Sequence, residues 1–225
     1  YASAFGYSNE ASGLASSAVG FRNKAASENA SAVGYGNNAN ALAASAVGYN
    51  NTAGGVGSST IGYNNTATNE NASAFGYGNT AGGLASSAFG FSNTASGDNA
   101  NAFGYNNIAS GSKSNVFGTG NTVSGSSSTA VGTANEVAAE NSTAIGNNNT
   151  ISSGAENSAA LGNNISISLK DSVALGNNST ATAINSVTGN SSYTKWAGVS
   201  DVVGVVSVGS SGATRQIQNV AAGQV

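Results

Sequence analysis

The stretch Ser31-Ala32-Val33-Gly34-Tyr35-Gly36-Asn37-Asn38-Ala39 decides the fold, because most of the chain repeats it. Its first glycine recurs every fourteen residues, at Gly6, Gly20, Gly34, Gly48, Gly62, Gly76, Gly90, Gly104, Gly118, Gly132 and Gly146, and then at Gly162 and Gly176. A fixed period of this kind is typical of a solenoid, in which each repeat forms one coil and stacks on its neighbours. The sequence therefore predicts a rod of thirteen coils with a long, repetitive surface.

Composition favours an ordered chain without catalytic residues. Only 7% of the 225 residues are charged, the formal net charge is -3, and there is no Cys, His or Pro. The lack of Pro suits hydrogen-bonded strands. The lack of Cys and His removes thiolate nucleophiles, imidazole bases and the usual transition-metal ligands. We therefore expect no enzyme, no metal and no cofactor. The six basic residues are too scattered to bind nucleic acid.

Two apolar columns accompany the glycine in each repeat. The residue before the glycine is large, as in Phe5, Val19 and Leu175, and the residue before that is nearly always Ala. Five residues after the glycine stands Ala, replaced by Val or Ile in later coils. Alternation with period two predicts two short strands per coil. Fourteen residues fit a flattened two-strand roll better than a three-sided helix.

We expect the large column to fill a thin core, opposite the Ala of the second strand, and the small residues to line the other face. Thin cores favour oligomerisation. A continuous stripe of Ala and Gly would let another backbone approach closely, so we expect the rods to associate side by side through that stripe.

Asn stands three residues after every glycine, from Asn9 to Asn149. Asn tolerates the left-handed backbone of a tight turn, and its amide can hydrogen-bond the same amide one coil away. We expect these asparagines to shape a turn and to form a ladder along the rod, and we assign them no ligand.

An aromatic column follows the glycine in the first eight coils. It consists of Tyr7, Phe21, Tyr35, Tyr49, Tyr63, Tyr77, Phe91 and Tyr105, and it gives way to Thr119. Rings stacked in register pack against one another, which is the structural interpretation. The functional alternative is an exposed protein-binding stripe, with Tyr35, Tyr49, Tyr63 and Tyr77 as candidate ligand residues.

The period of fourteen is interrupted twice, and the second interruption suggests the domain boundaries. Sixteen residues separate Gly146 from Gly162, and we expect the extra two to bulge one turn without breaking the stack. The coil that begins at Ser186-Val187-Thr188-Gly189 is interrupted from residue 190. The sequence therefore predicts roll repeats over 1–184, an insertion over 185–205 with Trp196 as a packing anchor, and a terminal segment over 206–225.

The repeat S-A-(large apolar)-G-x-x-N-x-A resembles the head repeat of YadA-like trimeric autotransporter adhesins, over residues 1 to about 184. The terminal segment is similar to the neck of the same family. It contains Arg215-Gln216-Ile217-Gln218-Asn219-Val220-Ala221-Ala222-Gly223. The succession of the two motifs makes the resemblance specific.

The resemblance implies an all-β fold, a left-handed parallel β-roll that forms a homotrimer and ends in a neck above a missing stalk. The neck residues expected to fasten the three chains are Arg215, Gln216, Ile217, Asn219, Val220, Ala222 and Gly223. The resemblance also implies a Gram-negative cell-surface protein whose signal peptide and carboxy-terminal outer-membrane anchor are missing here, so that this sequence is expected to be a fragment.

The function implied is adhesion to host matrix proteins such as collagen, fibronectin or laminin, to cells, or to other surfaces, as in virulence. Two alternatives remain open. One is an ice-binding solenoid, for which Thr52, Thr66, Thr80 and Thr94 form a column that charged and apolar residues interrupt elsewhere. The other is a purely structural spacer.

Overall fold

The computed structural model describes residues 1–183 and 203–219, which form a parallel β-solenoid. Each complete coil has one longer and one two-residue strand, joined by two tight turns. Neighbouring coils pair in register, so that Gly34 lies beside Gly48. The predicted two-strand coils and their number are confirmed. The described parts of the chain contain no helix with the length and apolarity that a membrane crossing requires.

The longer strands form a 14-stranded sheet. They are β1 (Ser3–Tyr7), β3 (Ser17–Phe21), β5 (Ser31–Tyr35), β7 (Ser45–Tyr49), β9 (Ser59–Tyr63), β11 (Ser73–Tyr77), β13 (Ser87–Phe91), β15 (Asn101–Tyr105), β17 (Asn115–Thr119), β19 (Thr129–Thr133), β21 (Thr143–Asn147), β23 (Ala159–Asn163), β25 (Val173–Leu175) and β27 (Val206–Ser207).

The two-residue strands form a 13-stranded sheet on the other side of the roll. They are β2 (Glu10–Ala11), β4 (Lys24–Ala25), β6 (Asn38–Ala39), β8 (Thr52–Ala53), β10 (Thr66–Ala67), β12 (Thr80–Ala81), β14 (Thr94–Ala95), β16 (Ile108–Ala109), β18 (Thr122–Val123), β20 (Glu136–Val137), β22 (Thr150–Ile151), β24 (Ser166–Ile167) and β26 (Thr180–Ala181).

The core consists of small side chains, and the expectation that the large column fills it is wrong. Ala32 on the longer strand and Ala39 on the shorter strand are fully buried, and the same two positions are buried along the roll. The large residues point to solvent instead, with Val33 37% and Ile61 45% exposed. The two sheets are held together by turns of only a few residues, so little more than a methyl group from each side fits between them. The Ala stripe is therefore inside the rod and is not an association surface.

A third small column, ten residues after the glycine, completes the core and was missed by sequence reasoning. It is occupied by either Ala or Ser, and Ala30, Ala44 and Ser58 are buried. Its serines also form a ladder, because the amide of Ser142 donates to Ser128 Oγ (2.9 Å) and that of Ser158 donates to Ser142 Oγ (3.1 Å). The restriction to Ala or Ser was the signal in the sequence.

The asparagine ladder is confirmed, and each buried asparagine bonds both neighbouring coils. The backbone amide and Nδ2 of Asn65 donate to Asn51 Oδ1 (2.9 and 3.0 Å), and Nδ2 also donates to the carbonyl of Gly76 (2.8 Å). The left-handed residue is the preceding one, for example Asn64 with φ 55°. The expectation that the ladder asparagine itself is left-handed is wrong, because its side chain has to point inward.

The anchor glycine is required by a close approach between coils. Gly48 has φ +119°, and a Cβ there would lie 2.1 Å from the carbonyl oxygen of Gly62. L-residues rarely adopt this conformation, and the steric conflict is with backbone, which cannot move aside. The period of fourteen thus marks the points at which successive coils touch.

The two extra residues before Gly162 bulge one turn, as expected. Strand β21 pairs with β23 through Thr143 and Ala159, sixteen residues apart, whereas Val137 and Ile151 are still fourteen apart. The extra residues therefore lie between Ile151 and Ala159. The stack continues without a break.

The last described coil is completed by residues far along the chain. Val206 pairs with Val173, and the amide of Val205 donates to Ser172 Oγ (3.1 Å). Residues 186–189, which the sequence suggested as the start of this coil, lie outside the described residues, as does Trp196. The boundaries at 184 and 205 stay predictions, although residues 204 and 205 already pack against the roll.

Candidate binding surface

The solvent side of the 14-stranded sheet, which we call the outer face, carries two columns of large side chains. One column precedes the anchor glycine and the other follows it. In coil three these are Val33 and Tyr35, 37% and 41% exposed. Consecutive coils repeat the pair, so that the outer face is a long apolar strip. Its exposure follows from the small-residue core, which leaves no room for these side chains inside.

The aromatic column forms a continuous stack from Tyr7 to Tyr105. Ring centroids of successive residues are 4.7–5.2 Å apart and the rings are nearly parallel. The four candidate ligand residues, Tyr35, Tyr49, Tyr63 and Tyr77, lie in the middle of it and are 41–46% exposed. Each ring packs against its neighbours and also presents an edge to solvent. The packing and the exposed-stripe interpretations therefore hold together.

A second, shorter aromatic stack runs beside the first. It consists of Phe75, Phe89, Phe103 and Phe117, with ring centroids 4.7–5.4 Å apart. These residues belong to the large column of the sequence analysis, which did not predict that they stack. Four consecutive Phe at one position of the repeat were the signal.

The outer face changes character after the eighth coil. The aromatic column is continued by Thr119 and Thr133 and then by asparagines. Asn147 Nδ2 donates to Asn163 Oδ1 and Asn163 Nδ2 donates to Asn177 Oδ1, each at 2.8 Å. The column after the glycine is thus aromatic in the first eight coils and polar in the last five, whereas the large column stays apolar throughout.

The solvent side of the 13-stranded sheet is more polar. Thr52, Thr66, Thr80 and Thr94 are in register there and partly exposed. The first coils carry the ion pair between Lys24 Nζ and Glu10 Oε2 (3.3 Å), both about half exposed. An exposed pair of this kind contributes about 0–1 kcal/mol. Within residues 1–183 and 203–219, no three acidic, Cys or His side chains are grouped as a metal site.

The described part of the terminal segment folds back on the last coil through Arg215. Its Nη1 donates to the carbonyl of Val208 (2.8 Å) and to Ser179 Oγ (3.2 Å), and its Nη2 donates to the carbonyl of Asn177. Arg215 therefore ties backbone carbonyls at the end of the roll. The other described neck candidates, Gln216, Ile217 and Asn219, are exposed, and Val220, Ala222 and Gly223 lie outside the described residues.

The fold and this surface define a parallel β-solenoid rod with fourteen-residue coils, a small-residue core and an apolar strip outside. A family model described as the YadA head domain repeat (2 copies) matches residues 1–23, 53–79, 81–107, 124–149 and 170–187, more than half of the chain. The chain therefore belongs to this family, the head region of YadA-like trimeric autotransporter adhesins. No curated protein sequence matches it. The coils between the matched segments have the same geometry, as the pairing of β5 with β7 shows.

Proposed function

We propose that this chain is the head of a bacterial surface adhesin that attaches its cell to host matrix proteins such as collagen, fibronectin or laminin, to cells, or to other surfaces. Membership of an adhesin family supports this, and the observation that carries it is the exposed apolar strip along the outer face. The role is binding rather than catalysis. The chain would be displayed outside a Gram-negative cell by an outer-membrane anchor beyond this sequence.

We further propose a homotrimer in which three rods pack side by side. Monomeric soluble proteins rarely expose a contiguous apolar patch larger than a few hundred Å². The column of large residues is exposed or half-buried from Val19 to Leu175, and we therefore assign it as the association surface. This replaces the Ala stripe, which is buried within each rod. The neck residues from Arg215 to Gly223 would fasten the three chains at the end of the roll.

The aromatic column of the first eight coils is the proposed ligand surface. It is regular, and its residues are partly exposed. A repetitive strip can bind a repetitive fibre through many weak contacts, and three copies raise the effective concentration further. The polar last coils would then serve mainly as a spacer between ligand and neck.

Replacing Tyr35, Tyr49, Tyr63 and Tyr77 together by Thr tests this ligand surface. Thr occupies the same column at Thr119 and Thr133, so the coil geometry tolerates it. In solid-phase assays on collagen, fibronectin and laminin, we expect binding to whichever protein the parent recognises to fall at least tenfold. Changing Thr52, Thr66, Thr80 and Thr94 to Ser in the same coils should leave it unchanged. Full binding by the Tyr variant, with an unaltered circular dichroism spectrum, would contradict the assignment.

Ice binding is the second candidate, and one observation favours it. Thr52, Thr66, Thr80 and Thr94 form an in-register column on a flat sheet. The column covers only four coils before Ile108 interrupts it. A measurement of thermal hysteresis discriminates between the two, and the adhesin proposal expects none.

A further inference from the structure

Nine exposed asparagines of the roll stand two residues before Ser or Thr. In the ninth, Asn177, that residue is the buried Ser179, whereas in the other eight it is accessible. These eight are Asn29, Asn50, Asn64, Asn71, Asn141, Asn148, Asn164 and Asn178. The chain contains no Pro, so every one of these triplets satisfies N-x-S/T with x other than Pro. This triplet is the acceptor for N-linked sugars on surface loops of exported proteins.

All eight asparagines lie in the tight turns of the roll. Their φ values are between 53 and 57°, the left-handed region. Five occupy the turn after the longer strand and three occupy the turn after the shorter strand. The backbone does not require Asn there, because Ala134 has a positive φ in the turn after the longer strand, and Ala15 and Ala43 have one in the turn after the shorter strand. The acceptors therefore form two rows along the two edges of the rod.

Both polar groups of each triplet face solvent. In the triplet that begins at Asn64, the first residue is exposed, Asn65 is buried and Thr66 is partly exposed. The other seven triplets repeat this pattern of an exposed, a buried and an accessible residue. The amide and the hydroxyl are therefore both accessible from outside, on either side of a buried residue. A transferase that recognises both the Asn amide and the Ser or Thr hydroxyl could reach them.

The fold tolerates a sugar at these positions and at none of the ladder asparagines. A sugar on buried Asn65 would break its bonds to Asn51 and Gly76. The ladder asparagines escape the triplet because the residue two positions later is the buried Ala, Val or Ile of the shorter strand, as Ala67 is for Asn65. Acceptor triplets and structural asparagines are thus separated within each coil.

Five of the eight acceptor amides donate no side-chain hydrogen bond within the described residues. Within the described residues, the side-chain nitrogens of Asn50, Asn71 and Asn148 donate hydrogen bonds, to Asn64 Oδ1, Glu70 Oε1 and Asn164 Oδ1. In the same part of the chain, no such bond engages Nδ2 of the other five acceptors, Asn29, Asn64, Asn141, Asn164 and Asn178. Asn64 and Asn164 accept these bonds through Oδ1, so the bonds do not use their own Nδ2.

We propose that the exposed turn asparagines, led by these five, are N-glycosylation sites. In the reaction, Nδ2 forms a bond to the anomeric carbon of a nucleoside-diphosphate hexose. The bond from that carbon to the phosphate oxygen breaks, and the nucleoside diphosphate leaves with the electron pair. The amide proton passes to a base of a separate glycosyltransferase. The product is a rod with sugars along its two edges and a bare outer face.

Mass spectrometry of the full-length protein, taken from the cells that produce it, tests the proposal. We expect a hexose mass increment on Asn64 or Asn164 and none on Asn65 in the same peptides. A matched pair of variants tests dependence on the triplet. Thr66→Ala should reduce occupancy at Asn64 more than tenfold, Thr66→Ser should retain it, and Asn164 should be unaffected in both. Unmodified asparagine at all eight positions, or modification of Asn64 that survives Thr66→Ala, would overturn the proposal.

Discussion

The ladder asparagine is the residue that holds successive coils in register. Asn65 connects three coils, because it donates to Asn51 on one side and to Gly76 on the other while its own Oδ1 accepts from Asn79. The three asparagines are buried, and a buried donor without an acceptor costs about 1–3 kcal/mol. The ladder runs from Asn9 to Asn149 and therefore stabilises the first eleven coils through bonds that an apolar side chain cannot make.

Replacing Asn65 by Ala is expected to lower the free energy of unfolding by about 2–5 kcal/mol, since the amide and Nδ2 of Asn79 lose their acceptor. Urea unfolding at one fixed protein concentration measures this. Asn64→Gly is the matched control, because residue 64 is exposed and its φ of 55° suits Gly. It should cost less than about 1 kcal/mol. Equal costs for the two variants would show that the ladder contributes nothing specific.

At the residue scale, the ladder could be predicted and the turn geometry could not. An asparagine that repeats at the same position of successive coils lies next to its own copies. The hydrogen-bonded ladder could therefore be predicted from the period. The neighbouring turn position is occupied by residues as different as Ser8, Arg22 and Asn50, all with positive φ. Asn or Gly occupies this position in nine of the thirteen coils, but Asn also occupies the next position from Asn9 to Asn149, so the sequence predicts the more regular column to be the left-handed one.

The aromatic column is the clearest feature at the scale of the strands. Tyr49 stacks on two rings, with centroids 4.9 Å from Tyr35 and 4.8 Å from Tyr63. Tyr105 ends the column and stacks only on Phe91, at 5.2 Å. An aromatic pair contributes about 0.5–1.5 kcal/mol beyond its buried area. The column therefore stabilises the first eight coils by stacking contacts that the last five coils lack.

Tyr49→Thr is expected to destabilise the rod by about 1–3 kcal/mol, because two stacked contacts are lost. Tyr105→Thr should cost about half as much, since one contact is lost. Thermal unfolding followed by circular dichroism compares the two. If the inner and terminal rings gave the same loss, stacking would not be the source of the stability.

Strands and their register could be predicted from the sequence, whereas the inner face could not. Period-two alternation separates Ala32 from Val33 but does not say which of them is inside. That depends on the distance between the two sheets, and the usual preference of large apolar residues for the core pointed the wrong way. The buried strand positions of the described coils hold Ala, with six larger exceptions: Thr60, Val116, Val123, Val137, Ile151 and Ile167.

At the scale of the whole molecule, the rod is nearly one-dimensional, because each coil contacts mainly its two neighbours. Such a body has little core for its length, and thin cores favour association with other chains. The small-residue interior accounts for the apolar strip outside, and the strip accounts for the proposed trimer. The sequence was enough to predict where the aromatic column lies. Its exposure to solvent could not be predicted, because it depends on a core filled by Ala.

Sedimentation equilibrium tests the central claim most directly, that the large column faces outward and joins three rods. We expect the 21.6 kDa chain to sediment as a trimer, and the combined variant Val33→Asp, Val47→Asp and Ile61→Asp to sediment as a monomer with β structure retained. Thr52→Asp with Thr66→Asp, on the other sheet, should remain trimeric. A parent chain that sediments as a stable monomer, or a trimer that survives the three outer-face aspartates, would contradict the claim.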